Sequence, residues 1–425
     1  MEYSKFVMEI GFETSQSTSK LVGFFLLLCF SLSLAAASFE IELPKYRLSA
    51  EQLAVVVNDQ DPLSRRIGNY YMKARGLPEA NLLHVSFTPG TNNLSADHFK
   101  KIRQKLLKST PSGIQAYAIT WVKPFRVGCM SITSALTFGF DRSWCSDHTC
   151  ASTHLSPFYN YQGVTPFEDL AIRPSISIAA NSFAAAKALI DRGIAADGTA
   201  PEGTAYLMST KDKQRNVRAK DYLLTHRLMR DWIDTEVLRG NALLDRQDVL
   251  FYFTGKTHVD GLETLTFLPG AIADHLTSSG GVLSGSKQMS ALRWLEAGAT
   301  GSFGTVVEPC NHLGKFPNPR LVMENYSHGQ TLLEAYWRSV EQPGEGIFIG
   351  EPLAAPFDKV IFEKSLAGTR LISRNLKAGH YKLSHSSSPI GPFRQIQRFQ
   401  VKPHQQQFNL LGGEPGYYRI ESLQL

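Results

Sequence analysis

The hydrophobic pattern alternates between two periods along most of the chain. "LAVVVND" (53–59) is a short Val-rich apolar run, as a strand buried on both faces should be. Asp59 to Asp61 offer helix caps and Pro62 suits a first helical turn. Ile67, Tyr70, Tyr71 and Ala74 then recur at helical spacing, until Gly76 and Pro78 stop the helix. "NLLHVSF" (81–87) is the next strand, "SADHFKKIRQKLL" (95–107) a helix and "QAYAITW" (115–121) a strand. Strand, crossover helix and parallel strand follow one another, which parallel pairing requires.

Residues 125–172 are irregular and rich in turn formers, the texture of a long ordered excursion. The rhythm resumes with "SISIAANSF" as strand, "FAAAKALIDRGI" as helix and "TAYLMST" as strand. The stretch from Asp212 to Leu238 reads as one long amphipathic helix. "DVLFYFTG" is a strand, and "LPGAIADHLTSSGG" a helix or strand with a glycine exit. "QMSALRWLEAG" is a helix capped by Gly298, and "ATGSFGTVV" a short strand. Residues 318–340 are helical in two pieces broken near His328-Gly329, and "GIFIGEPLAAPF" is a last strand and turn. The predicted fold is α/β, a mostly parallel sheet with helices on both faces. From about residue 364 to 425, short alternating segments predict a small antiparallel β unit. The expected divisions are 1–37, 48–172, 173–363 and 364–425.

Composition changes the picture at the N-terminus. Lys20, the apolar run "LVGFFLLLCFSLSL" and "AAAS" have the order of a secretory signal peptide cut after Ala37. Its apolar core is short for a membrane span, and no later stretch is apolar enough to provide one. The expected location is outside the cytoplasm, secreted or periplasmic at the cell envelope. The formal net charge of +6 is spread thinly, and "KDKQRNVRAK" (211–220) reads as a solvated face, so nucleic acid is not an expected partner.

Four cysteines follow the leader: Cys129, Cys145, Cys150 and Cys310. In an oxidising compartment they suggest disulfides. The first expectation is a local Cys145–Cys150 bond, with Cys129 and Cys310 either paired or free. A zinc site from Cys145, His148, Cys150 and His154 is the alternative, since the count suits a tetrahedron. That alternative implies a metal-dependent hydrolase. No P-loop and no G-x-G-x-x-G after a strand is present, so no nucleotide or other cofactor is expected.

Function in open α/β sheets gathers at the carboxyl ends of strands. Three ends carry reactive side chains: His258 and Asp260; Asp274, His275, Ser278 and Ser279; and Glu308, Cys310 and His312. Cys310 with His258 or His312 as base and Glu308 as orienter suits thiol–imidazole catalysis. Ser279 with His275 and Asp274 is a second candidate arrangement. Asp59 and Asp61 follow the first strand and either join the same rim or cap a helix. Glycines 298, 301 and 304 either admit a ligand to the backbone or permit a tight turn.

"VVVNDQDPLSRRIGNYYMKARGLP", "SITSALTFGFD", "GAIADHLTSSGG", "QMSALRWLEAGATGSFGTVVEPCN" and "GEPLAAPF" together resemble a family of secreted bacterial proteins of unknown function, found in genomes that encode exosortase. The resemblance covers most of residues 50–357. More remotely, the order of segments is similar to gingipain-type cysteine peptidases, which have a caspase-like fold. In those, one strand ends in His-Gly and the next in the nucleophilic Cys. Here the corresponding strands end "FYFTG" and "LTSSGG", so that dyad is not matched residue by residue. The resemblance implies a peptidase-like or degenerate peptidase. A non-catalytic protein holding an envelope polypeptide or polysaccharide in the same strand-end cleft is the other reading. The leader pattern predicts a mature chain beginning at Ser38. N-terminal sequencing of the exported protein checks this, and an N-terminus upstream of the apolar core would contradict it.

Overall fold

A computed structural model describes residues 3–8, 39–146, 150–365, 368–402, 405–410 and 414–423. Most of the expected signal peptide, and His148, lie outside the described residues. The chain forms two compact units, residues 46–360 and residues 1–45 with 361–425.

The larger unit is built on one ten-stranded sheet. Its strands in chain order are β1 (Leu53–Asn58), β2 (Leu82–Val85), β3 (Ala116–Ile119), β4 (Ser175–Ser177), β5 (Thr204–Ser209), β6 (Asp234–Arg239), β7 (Val249–Gly255), β8 (Phe267–Leu276), β9 (Gly301–Thr305) and β10 (Gly346–Gly350). In space they run β6–β5–β7–β8–β9–β10–β4–β3–β1–β2. Every neighbouring pair is parallel except β9 and β10, which are antiparallel from Gly301↔Gly350 to Thr305↔Gly346. The sheet is therefore mixed α/β and mostly parallel, as expected, with one reversal of polarity. It is also continuous across residues 172 and 173, because β4 sits between β10 and β3.

That reversal divides the rims. The carboxyl ends of β5 to β9 lie on one edge, and those of β1 to β4 and β10 on the other. Asp59 and Asp61 follow β1, so they do not share a rim with Glu308. Asp59 pairs with His84 at 2.6 Å, and Asp61 accepts from the Leu63 amide as a helix cap.

Helices α1 (Pro62–Arg75), α2 (Ala96–Ser109), α3 (Ile132–Phe138), α4 (Phe183–Ala196), α5 (Tyr222–Met229), α6 (Leu292–Ala297), α7 (Pro319–Ser327) and α8 (Leu332–Trp337) flank the sheet. All seven residues of β7 are buried. Phe251 and Phe253 join the main apolar cluster, whereas Tyr252 joins a second one with Trp294 of α6. Alternate side chains thus enter cores on both faces, which explains the uninterrupted apolar run. The "GEPLAAPF" turn is anchored by Glu351, which is fully buried and accepts from the Tyr71 hydroxyl and from Arg75 Nε at 3.1 Å.

The long helix expected over 212–238 does not form. A 3-10 turn covers Asn216–Asp221, α5 ends at Met229, and Asp234–Arg239 is edge strand β6. Ile233, Thr235 and Val237 alternate at period two and are β-branched, and pairing with β5 outweighs the helical periodicity. "LPGAIADHL" is strand β8, and residues 318–340 form two helices with the break where it is expected.

The smaller unit carries a five-stranded sheet in the order 3–8, 39–44, 416–423, 379–386, 394–401, and a three-stranded sheet of 360–365, 368–373 and 407–410. The expected C-terminal β unit thus recruits Phe39–Pro44, which pairs in parallel with Gly416–Leu423. Among the described residues no helix is long and apolar enough to cross a membrane.

Two glycines of the rim are required by close approach. A Cβ on Gly255 would sit 1.9 Å from the Arg215 carbonyl oxygen, and one on Gly304 would sit 2.3 Å from the Gly281 nitrogen. Gly255→Ala is therefore expected to lower stability by at least about 2 kcal/mol, read as a fall in the urea midpoint. Gly113→Ala, where a Cβ meets nothing within 4 Å, should stay within about 0.5 kcal/mol of wild type.

Candidate functional site

The loops leaving β5, β7, β8 and β9 meet at one rim. The Thr210 hydroxyl donates to the Gly255 carbonyl at 2.7 Å, tying the end of β5 to the end of β7. Gly255 then lets the Arg215 backbone settle against β7. Arg215 Nε donates to Thr277 Oγ1 at 3.1 Å and Nη1 to Asp212 Oδ2 at 3.2 Å. Gln288 Oε1 collects the Thr277 hydroxyl at 2.8 Å and the Ser279 amide at 2.7 Å. The Thr305 hydroxyl contacts the Thr277 and Ser278 carbonyls, and the Cys310 amide donates to Glu308 Oε1 at 2.8 Å. These loops enclose a cleft of about 290 Å3, lined by Gln214, Arg215, Leu276, Thr277, Ser278, Glu308, Cys310 and Asn311.

An ion pair lies beneath it. Arg218 Nη2 is 2.6 Å from Asp274 Oδ1 and 2.8 Å from the Thr254 carbonyl oxygen, with both side chains almost fully buried. Burial raises the Asp274 carboxyl above its ordinary value, and Arg218 opposes that rise. Asp274 Oδ2 has no hydrogen-bond partner among the described residues. The pair ties the Arg215–Arg218 segment to β8.

Asp274 and His275 are consecutive strand residues, so they point to opposite faces. His275 is buried with Trp294, whose Nε1–H donates to Nδ1 at 2.9 Å, while Nε2 lies 3.1 Å from the Met289 carbonyl oxygen. That arrangement holds the neutral tautomer with its proton on Nε2. Burial drives the His275 pKa down to about 3. His275 therefore has no free nitrogen to serve Ser279, and the serine–histidine–aspartate arrangement is not assembled.

The cysteine pairing also differs from expectation. The bonds are Cys129–Cys145 and Cys150–Cys310. Ser146 is pinned inward beside Cys145, donating to Glu345 Oε1 from its amide at 2.7 Å and its hydroxyl at 2.9 Å. The fully buried Lys315 ammonium lies 3.1 Å from the same carboxylate oxygen and 2.9 Å from the Ser146 hydroxyl. Cys145 is thereby held inside, against Cys129, whereas Cys150 is exposed. With Cys145 and Cys150 both oxidised, the zinc site they were to form with His148 and His154 has no thiolates to offer. His154 packs beside Trp144, with ring centroids 5.3 Å apart.

Cys310 carries no thiol in this state, so it is not a nucleophile. Of its proposed partners, Glu308 accepts from the Cys310 amide, His258 lies exposed beyond β7, and His312 Nε2 is 3.0 Å from Ser152 Oγ. The rim thus brings Glu308, Cys310, Ser278 and Ser279 into one neighbourhood, with no nucleophile–base pair among the described residues. The basic segment 211–220 is not simply a solvated face, because Arg215 lines the cleft and Arg218 is 4% exposed. Its position directly after a strand was the available signal.

No protein-family model matches the chain, and no curated protein matches it. Among solved structures, one described as "Structure of Protease" is similar at 10% identity with a TM-score of 0.39, over 89% of this chain and 98% of that one.

The His275 environment sets a pH dependence. The folded pKa lies near 3 and the ordinary value is 6.5, so the unfolded chain binds the extra proton between them. This contribution to stability is complete above pH 6.5 and is lost as pH falls toward 3. About 2 kcal/mol should disappear by pH 5. In His275→Asn, whose carbonyl can still accept from Trp294, urea unfolding at pH 7 and pH 5 should show that loss removed.

Proposed function

We propose that this chain is an exported cell-envelope protein of caspase/gingipain-like architecture whose rim binds a polypeptide segment instead of cleaving it. The observation that carries this reading is the polar strand-end cleft, with Arg215 and Glu308 in its lining and its one sulfur, that of Cys310, held in a disulfide. A thiol peptidase needs a thiolate and a free imidazole together, and here the sulfur is bonded and the His275 ring is committed inward. The strand ends that correspond to the dyad of the resembled peptidases read "FYFTG", with Thr254 before Gly255, and "LTSSGG", with Ser or Gly in place of Cys.

The lining favours polypeptide over polysaccharide. It contains no aromatic side chain on which a sugar ring could stack, but it offers a guanidinium, a carboxylate, hydroxyls and amides that suit backbone amides and charged side chains. The volume accommodates one or two residues of an extended chain. Export is supported by the leader pattern of residues 20–37 and by two disulfides. Membership of the exosortase-associated family rests on the quoted segments of residues 50–357. Cleavage near Ala37 would remove the strand Tyr3–Met8 and leave Phe39–Pro44 paired with Gly416–Leu423.

The test uses the oxidised mature protein on an array of random hexapeptides, with turnover of a quenched fluorescent peptide pool in parallel. We expect capture without turnover. Arg215→Ala should weaken captured peptides by about 10- to 100-fold, the range for a lost charge-assisted hydrogen bond. Peptide turnover by the oxidised protein would overturn the reading, as would capture that Arg215→Ala leaves unchanged.

A further inference from the structure

The two disulfides occupy different environments. Cys129 and Cys145 are 5% and 6% exposed, inside the main apolar cluster. Cys150 is exposed, and Cys310 is half-buried in the cleft wall. Both half-cystines of this second bond have left-handed backbone, with φ of 56° at Cys150 and 53° at Cys310. That region is uncommon for residues with a Cβ and persists only where the surroundings impose it. Here the cross-link joins two such residues. Access favours attack at Cys150. The sulfur that then leaves belongs to a residue that lines the cleft together with Arg215 and Glu308, where the guanidinium favours a departing anion and the carboxylate, which accepts from the Cys310 amide, opposes it.

We propose that Cys150–Cys310 is a thiol-exchange site, at which an external dithiol attacks Sγ of Cys150 and Cys310 departs into the cleft as the thiolate. The incoming sulfur forms a bond to Cys150 Sγ, and the electron pair of the broken bond goes to Cys310 Sγ. The second thiol of the reagent then attacks the mixed disulfide and releases Cys150. The protein disulfide is reduced by two electrons, the dithiol is oxidised to its own disulfide, and its two protons end on Cys150 and Cys310. The exchange removes the covalent tie between the Cys150 loop and the exit loop of β9 and leaves the Ser152–His312 contact at 3.0 Å. The proposal stands independently of what the cleft binds, because its test reads sulfur alone.

The experiment exposes the folded mature protein to reduced glutathione and, separately, to dithiothreitol. Acid quenching, differential alkylation and peptide mass mapping follow. With glutathione, the adduct is expected on Cys150 and the alkylated thiol on Cys310. With dithiothreitol, loss of Cys150–Cys310 should run at least about tenfold faster than loss of Cys129–Cys145. Arg215→Gln should slow the glutathione step severalfold, with circular dichroism confirming that the variant is folded. Simultaneous loss of both disulfides, or an adduct on Cys310, would overturn the site. An unchanged rate in Arg215→Gln would overturn the assistance assigned to that guanidinium.

Discussion

The covalent bond between Cys150 and Cys310 is the constraint on which the rim depends. It spans a sequence separation of 160 residues, so in the chain-entropy account it removes about 5 kcal/mol of freedom from the unfolded chain. It joins the cysteine loop to the exit loop of β9 and so fixes one wall of the cleft. It also takes the only sulfur in that wall out of nucleophilic chemistry.

The polarity of the sheet decides where that bond can act. Because β9 and β10 run antiparallel, the chain has two sets of strand ends on opposite edges, and the cleft uses only the set from β5 to β9. Buried ions then lock the loops in place. Arg218–Asp274 holds the loop after β5 to β8, Lys315–Glu345 holds the loop after β9 to the entry of β10, and Arg75–Glu351 holds α1 to the exit of β10. Desolvation cancels much of the attraction in such pairs, but removing one partner strands a buried charge. Their service is chiefly geometric.

Much of the architecture was legible because it rests on period and capping. The Val run of β1, the seven apolar residues of β7, and the helix break near His328 all follow from local pattern. The 212–238 segment misleads because Ile233, Thr235 and Val237 alternate within a stretch that also satisfies helical spacing, and the strand they pair with, β5, lies outside that stretch. Residues near the site were legible as strand-end loops, so Glu308, Cys310 and Ser279 appear among the candidates. What each does was not. The neutral state of His275 depends on Trp294 and the Met289 carbonyl, and the sulfur pairing depends on Ser146, Lys315 and Glu345 converging from three segments. Burial of Arg218 and Lys315 follows from partners far along the chain, which no local window contains.

The central claim is that the rim sulfur is oxidised and that the cleft is held by it. Peptide mass mapping of the purified protein under non-reducing conditions, with free thiols alkylated before digestion, tests this most directly. Cross-linked peptides joining Cys129 to Cys145 and Cys150 to Cys310 are expected, with no alkylation at Cys310. Quantitative alkylation of Cys310, or a Cys145–Cys150 peptide in place of these two, would contradict it.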